Sequence, residues 1–203
     1  MQNVLLRETS ANRSVERTLH LLLAMEEAGR LMGLTELSRA THLPKATVQR
    51  LLNVLEQYGF AEKWQGKYHI GIAILPLANA FLISKELIRI ALPVLQELAQ
   101  TSEETASLSS RFGFHRIIVL RIEGLHPLRY VMPIGQRLPL HVGMGKIFAS
   151  AMSGKELQEM LDQSGDIQHA TGETITRESF LCQLEQIRRQ GYPSLQQFWE
   201  KQL

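Results

Sequence analysis

The strongest constraint on the fold lies in one short stretch, where a proline is followed by apolar residues at helical spacing. These apolar residues are Val48, Leu51, Leu52 and Leu55. Their spacing of i, i+3, i+4 and i+7 places them on one side of a helix. Pro44 suits the first position of that helix, because its missing N–H would have no intrahelical partner there. The apolar side must pack against other elements, so this helix is predicted to be part of a core.

The opposite side of the same helix carries hydrogen-bond donors and positive charge. Its polar residues are Lys45, Thr47, Gln49, Arg50 and Asn53. No acidic residue lies near the start of the helix, so this side can face phosphate groups and base edges. A solvated polar face without a partner is the alternative that the pattern alone leaves open.

Two further helices are predicted before this one. In the first, apolar residues follow Ser14, which suits the N-cap position. They are Val15, Leu19, Leu22 and Leu23, and all are expected to face inward. The second helix is shorter and is predicted over Thr35–Thr41, with Thr35 as its cap. Its inward residues are expected to be Leu37 and Ala40.

After these helices the pattern becomes strand-like. Two short strands are predicted at residues 60–64 and 67–70, and Gln65 and Gly66 between them suit a tight turn. Three helices followed by a hairpin is the order of a winged helix-turn-helix, whose third helix enters the major groove. The hairpin residues expected to contact phosphate are Lys63, Gln65 and Lys67.

Residues 73–99 return to helical spacing and carry a broad apolar stripe. The stripe consists of Leu87, Ile90, Ala91, Val94, Leu95 and Leu98. Pro93 lies within it and is expected to kink or split the helix. Periodicity favours an ordinary core and a dimerisation surface about equally, and both interpretations stay open.

The rest of the chain mixes strands and helices and is predicted to form an α+β domain. Strands are expected at residues 117–122 and 128–133, in a sheet built between Ser107 and Leu140. Helices are predicted at residues 146–151, 154–163 and 176–190. They are expected to pack on one face of the sheet.

Composition argues against several functional classes. The net charge of +2 permits a nucleic-acid partner without requiring one. No apolar segment reaches the ~20 residues that cross a bilayer and no leader is seen, so a cytoplasmic location is expected. The single cysteine, Cys182, is expected to be a small buried residue rather than a nucleophile. The seven histidines lack metal-ligand spacing, and neither a catalytic group nor a cofactor motif is found, so no enzyme activity is expected.

Several motifs resemble those of the IclR-type transcription regulators. The most specific is the run from Leu43 to Leu52, which reads Leu-Pro-Lys-Ala-Thr-Val-Gln-Arg-Leu-Leu. The other matching segments are residues 13–17, 34–38, 92–98, 104–108, 135–141 and 145–146. The resemblance extends from Arg13 to Tyr192.

This resemblance implies a particular domain organisation. A winged helix-turn-helix is expected in residues 10–72, linker or dimerisation helices in residues 73–101, and a GAF-like effector domain in residues 102–203. Members of the family usually continue well beyond the residue that matches Tyr192, so the effector domain is expected to be truncated. The resemblance also implies a homodimer or tetramer on double-stranded operator DNA. Repression is favoured over activation, and the effector is expected to be a small organic acid.

The resemblance extends the set of predicted DNA contacts beyond the third helix. The full set is Arg13, Ser14, Thr35, Lys45, Ala46, Thr47, Gln49, Arg50, Asn53, Lys63 and Lys67. Lys45 and Arg50 are assigned to phosphate or guanine contacts. Thr47 and Gln49 are assigned to base edges or the DNA backbone.

A second predicted site lies in the effector domain. Its residues are Gly135, His141, Gly143, Met144, Gly145 and Lys146. Backbone N–H groups in a glycine-containing loop before a helix can hold an anion, and a plain turn is the alternative. The segment is not a P-loop, because Leu140 and Ile147 stand where the Walker pattern needs glycine and Ser or Thr.

Two departures from the family pattern concern the predicted sites. His42 stands where the turn between the second and third helices usually has glycine, and histidine adopts a positive φ less readily. Residues 141–146 form a segment one residue shorter than usual, without its small hydroxyl residue. A winged-helix module that binds proteins rather than DNA is the alternative function. A gel shift at two salt concentrations distinguishes the two, because DNA binding is strongly salt-dependent.

Overall fold

The computed structural model describes residues 10–126, 132–165, 167 and 174–193 of the 203-residue chain. The chain divides into two compact units, residues 1–85 and residues 86–203. Within the described ranges, no helix is long and apolar enough to pass through a membrane.

The first unit is a helical core closed by a small sheet. Its helices are α1 (Ser10–Ala28), α2 (Leu34–Thr41), α3 (Lys45–Gln57) and α4 (Ile74–Ser84). Its strands are β1 (Met32–Gly33), β2 (Ala61–Trp64) and β3 (Lys67–Ile70), in the antiparallel order β1-β3-β2. This confirms the predicted helix-turn-helix with a terminal hairpin. β1 was not predicted, because two residues carry no readable alternation.

The helix α3 buries the apolar stripe that the sequence predicts. The stripe residues Val48, Leu51, Leu52 and Leu55 are all at most 6% exposed. They pack with Leu21 and Met25 of α1, Leu37 of α2 and Tyr68 of β3. Pro44 is the N-cap residue of α3, immediately before its first helical residue, whereas the sequence predicts Pro44 at that first position.

The predicted cap and inward face of α1 are wrong. The helix begins at Ser10, so Ser14 lies inside it, and the Ser14 carbonyl accepts a hydrogen bond of 2.8 Å from Thr18 Oγ1. The exposed residues Val15, Leu19 and Leu23 were predicted to face inward, and of the predicted stripe only Leu22 packs against the core. Apolar residues surround the helix axis between residues 19 and 25, so the spacing could not select the buried side.

The beginning of α2 also differs from the prediction. Gly33 is the N-cap and Thr35 lies exposed in the first turn, where it caps nothing. The Glu36 carboxylate reaches back and accepts the Gly33 N–H at 2.8 Å. Leu37 is fully buried as predicted, but Ala40 is exposed, because this eight-residue helix offers one side chain to the core.

The hairpin is fixed both at its tip and at its exit. Gln65 and Gly66 have φ values of 48° and 77°, the double positive φ of the tightest hairpin turn. At the exit, the Ala73 N–H donates to the Gly59 carbonyl at 3.1 Å. A Cβ on Gly71 would lie 2.1 Å from that same carbonyl oxygen, so only glycine fits at position 71.

The second unit combines a sheet with four described helices. Its helices are α5 (Glu86–Ser102), α6 (Gly145–Ser150), α7 (Gly154–Ser164) and α8 (Arg177–Gln190). Its strands are β4 (Ala106–Phe112), β5 (His115–Ile122) and β6 (Arg137–Pro139), antiparallel in the order β4-β5-β6. The α+β prediction and the last three helices are confirmed. Most of the strand predicted at residues 128–133 lies outside the described residues.

The helix break after the hairpin lies at an unexpected place. The helical region is interrupted at Lys85, whose backbone is extended between α4 and α5. The predicted break at Pro93 is absent, because α5 continues through that residue. Packing of Leu95 and Ala99 on β4 and β5 holds α5 together despite the hydrogen bond that proline removes. The other large residues of the predicted stripe are 53–59% exposed. They are Leu87, Ile90, Val94 and Leu98.

The environment of the single cysteine corrects a further expectation. Cys182 is exposed on α8 rather than buried. The helix turns Phe180, Leu184 and Ile187 into the core, and Leu181 is itself 43% exposed. Cys182 therefore lies on the solvent side of an amphipathic helix.

Candidate nucleic-acid interface

The turn between α2 and α3 is closed by local hydrogen bonds. His42 adopts the left-handed conformation, with φ of 55°, and its N–H donates to the Arg39 carbonyl. The Ser38 hydroxyl donates to the Leu43 carbonyl at 2.6 Å. Hydrogen bonds at His42 and at the following residue therefore stabilise the positive φ of the histidine. The turn places Pro44 at the start of α3.

The polar side of α3 lies on the surface of the first unit. Lys45, Ala46, Arg50 and Asn53 are exposed, and Thr47 and Gln49 are half-buried. The first turn of α3 contains no acidic residue. An ammonium, a guanidinium and an amide therefore stand on one exposed helix, and these groups donate to phosphate oxygens and to the acceptor atoms of bases.

A hydrogen-bonded network joins α3 to the hairpin. Gln49 Nε2 donates to Asn53 Oδ1 at 2.8 Å and lies 3.1 Å from the Tyr68 hydroxyl. The hydroxyl is also 3.3 Å from Gln49 Oε1. Tyr68 is 1% exposed, so the network extends from the core to the surface. Tyr68 was not predicted as part of the site; the signal in the sequence is an aromatic residue with a polar tip next to Lys67 in the predicted hairpin.

The hairpin presents two lysines to solvent. Lys63 and Lys67 are exposed, and Lys63 Nζ lies 5.3 Å from the centre of the Tyr68 ring, in cation–π range. Glu62 is the acidic residue of the hairpin, and one of its oxygens accepts the Ile72 N–H at 3.2 Å. The hairpin therefore carries two exposed ammonium groups that can contact a polyanion, beside one exposed carboxylate.

The remaining predicted contacts lie near the beginnings of α1 and α2. Arg13 and Thr35 are exposed, and Ser14 is half-buried inside α1. Next to Thr35, the pKa of Glu36 is lowered by the Gly33 N–H that it accepts and by the Arg30 guanidinium 3.0 Å away. Glu36 is therefore ionised at neutral pH and fixes the start of α2.

The predicted effector residues flank β6. Gly135 lies in the turn before β6, and the segment 141–146 follows the strand. Gly145 is buried, and a Cβ there would lie 2.6 Å from the Pro139 carbonyl oxygen. Gly143 has a positive φ of 53° and Met144 is partly exposed. The structure groups five of the six residues in one segment and leaves Gly135 at the other end of the strand.

Two ionisable side chains of this segment are withdrawn from water. Lys146 is 1% exposed, and its ammonium donates to Gln183 Oε1 of α8 at 2.8 Å. Burial lowers the pKa of His141, and the positive potentials of His115 and Lys146 add to the effect. His141 is therefore neutral at pH 7. In the described ranges, no three His, Cys, Asp or Glu residues are arranged to hold a metal ion.

Comparison with known protein families decides the assignment. Residues 14–63 match the IclR helix-turn-helix domain, and residues 79–197, more than half of the chain, match the C-terminal domain of the bacterial transcriptional regulator IclR. The chain belongs to the IclR family. IclR-family proteins are transcription regulators rather than enzymes, and the protein-interaction alternative is not favoured.

Individual IclR-family proteins agree with this assignment. The transcriptional repressor IclR of Escherichia coli K12 is 30% identical over 189 residues, which cover 91% of this chain and 69% of the repressor. A family regulator from Brucella abortus has the same fold, with a TM-score of 0.76 at 23% identity over 95% of this chain and 73% of its own. A Microbacterium hydrocarbonoxydans homologue complexed with 4-hydroxybenzoate has a TM-score of 0.66 at 20% identity, over 88% of this chain and 75% of its own.

Proposed function

We propose that this IclR-family regulator represses transcription by binding operator DNA through α3 and the hairpin. One observation carries the proposal. The core side of α3 is completely buried, while Lys45, Arg50 and Asn53 on its other side are exposed and adjoin no acidic residue in the first turn. Repression is favoured by the similarity to the Escherichia coli IclR repressor.

In this proposal, α3 enters the major groove and the hairpin follows the phosphate backbone. Arg50 and Asn53 address base edges, and Lys45, Lys63 and Lys67 neutralise phosphates. Thr47 and Ala46 support α3 against the sugar–phosphate chain. Arg13, Ser14 and Thr35 are proposed as flanking backbone contacts, since the beginnings of α1 and α2 carry donors that suit phosphate.

The test is selection of binding sites from random DNA, followed by affinity measurements over a range of salt concentrations. Arg50→Ala should weaken binding to the selected site and relax specificity at one base pair, whereas binding to random DNA should change little because the phosphate contacts of the lysines remain. Lys155→Ala is the matched control, because Lys155 is an exposed lysine on α7 of the other unit. Equal losses for the two variants, or wild-type affinity for Arg50→Ala, would contradict the proposed interface.

We also propose that the regulator acts as a homodimer. The exposed stripe of α5, Leu87, Ile90, Val94 and Leu98, is an apolar surface without cover in one protomer. The helix α4 has no buried residue in its own unit and exposes Leu75, Leu77 and Phe81. A second copy would remove both surfaces from water, and a two-fold dimer would read an operator with two half-sites.

A small organic acid is proposed as the effector of the second unit, with the segment 141–146 and Gly135 as its site. The proposal is supported by the ligand of the Microbacterium homologue and by the buried ammonium of Lys146. Thermal denaturation in the presence of 4-hydroxybenzoate and smaller carboxylates tests it. A ligand that raises the melting temperature of wild type should have no effect on Lys146→Met, whereas Lys155→Met should respond like wild type. An unchanged response of Lys146→Met would exclude Lys146 from the site.

A further inference from the structure

Selectivity of the DNA-binding surface depends on how its amide side chains are oriented. An amide presents donors at one end and an acceptor at the other, so an unconstrained Asn or Gln can adapt to either kind of base atom. In this protein the amides of Gln49 and Asn53 are joined to each other and to a phenol. Their orientation is therefore set before DNA arrives.

The anchor of this arrangement is Tyr68. Its side chain is 1% exposed, so its hydroxyl has a fixed place in the core. The hydroxyl oxygen lies 3.1 Å from Gln49 Nε2 and 3.3 Å from Gln49 Oε1, so it holds the plane of the Gln49 amide in place and is nearer to the Nε2 end. Two hydrogens on Nε2 allow the same nitrogen to donate also to Asn53.

The next link sets the polarity of Asn53. Its Oδ1 accepts the 2.8 Å hydrogen bond from Gln49, which uses one of the two lone pairs of that oxygen and turns it toward Gln49. Its Nδ2 group keeps two donor hydrogens, and Asn53 is exposed on the polar side of α3. In the major groove such donors select acceptor atoms, namely N7 and O6 of guanine, N7 of adenine or O4 of thymine.

We propose that Tyr68 is a positioning residue for operator selectivity: its hydroxyl orients the Gln49 amide, which in turn presents Asn53 as a donor to one acceptor-bearing base edge. Tyr68 itself contacts no base. This inference rests on the proposed function, because it assigns a role to groups of the same interface.

The hydroxyl and the ring of Tyr68 can be separated experimentally. The ring packs in the core and lies 5.3 Å from Lys63 Nζ. Tyr68→Phe keeps the ring and this cation–π contact, and removes only the hydroxyl. Tyr58→Phe is the matched control, because Tyr58 follows the same helix and is 66% exposed.

The experiment is selection from random DNA with wild type and both variants, with salt dependence and melting temperature measured on the same preparations. Wild type and Tyr58→Phe should select the same site. Tyr68→Phe should lose about five- to tenfold preference at one base pair, the order expected for one oriented base contact. Its salt slope and its binding to random DNA should not change, because the phosphate contacts remain.

A double-mutant cycle with Asn53→Ala separates positioning from a structural effect. Asn53→Ala alone should lose preference at the same base pair, and adding Tyr68→Phe should change nothing further, because the hydroxyl acts through Asn53. Additive losses, undiminished preference in Tyr68→Phe, or equal weakening on selected and random DNA would each overturn the inference. If wild type enriched no sequence, the proposed function would fall as well, whereas full selectivity of Tyr68→Phe would overturn only the role of Tyr68.

Discussion

Two helices of this regulator carry apolar stripes of similar spacing, and the protein covers them differently. On α3 the four stripe residues are at most 6% exposed, because α1, α2 and the hairpin enclose them. On α5, which meets the sheet through Leu95 and Ala99, the four large residues beside that contact are 53–59% exposed. The spacing of apolar residues therefore predicts a stripe but not whether the chain buries it.

Truncation of the covered stripe should have the largest effect on stability. Leu52 is fully buried, and Leu52→Ala should lower the free energy of unfolding by about 2–5 kcal/mol, because it leaves a cavity in the core. Leu98 is 53% exposed, and Leu98→Ala should change the free energy of unfolding by about 0.5 kcal/mol or less in dilute protein. Urea unfolding measures both. Similar losses of unfolding free energy for the two variants would contradict the difference in burial between the two stripes.

Truncation of the uncovered stripe should act on association instead. Leu87→Ser combined with Val94→Ser should raise the dimer dissociation constant about tenfold or more, as loss of central apolar contacts does. Sedimentation at several protein concentrations measures it. Gln96→Ser is the control, because Gln96 is exposed on the other side of α5. A monomeric wild type, or an unchanged dissociation constant, would show that α5 needs no second copy.

The two units also begin helices differently, which leads to a smaller effect. At α7, Ser153 Oγ accepts the Glu156 N–H and the Glu156 carboxylate accepts the Ser153 N–H. At α2, Gly33 has no side chain to accept a hydrogen bond, and only the hydrogen bond from the Gly33 N–H to the Glu36 carboxylate is formed. Ser153→Ala should lower the free energy of unfolding by about 1 kcal/mol, and Gly33→Ser should raise it by a few tenths. Thermal unfolding followed by circular dichroism is a suitable measurement.

The smallest predicted effect is the pH response of the second unit. The pKa of His141 is lowered in the folded protein by burial and by the neighbouring His115 and Lys146. The unfolded chain then binds the proton first, so this residue lowers the free energy of unfolding as pH falls below about 6.5 and through the folded pKa. His141→Gln should flatten the pH dependence of stability below about pH 6.5. An unchanged pH dependence of stability in His141→Gln would contradict this prediction.

Much of the first unit could be predicted from sequence, because its signals are local. Pro44 and the spacing of four apolar residues located α3, and Gln65-Gly66 located the hairpin turn. The buried side of α1 was not predictable, since Leu19, Leu21 and Leu23 offer competing apolar sides and only the tertiary contacts select Leu21.

The network at the interface could not be read from the sequence. Gln49 and Tyr68 are nineteen residues apart, and their contact depends on how the hairpin folds back on α3. In the second unit, the solvent side of Cys182 and the helix break at Lys85 likewise depend on packing. Spacing located the helices, but the tertiary structure determined which of their side chains meet.

The crowded exit of the hairpin determines how its reach can change. At Gly71 a methyl group would strike the Gly59 carbonyl, whereas nothing lies within 4 Å of a Cβ built on Gly66 at the tip. The tip of the hairpin is therefore open, while its base is closely packed. In the proposed complex, substitutions at the tip would alter the contact of the hairpin with DNA and leave the placement of α3 unchanged.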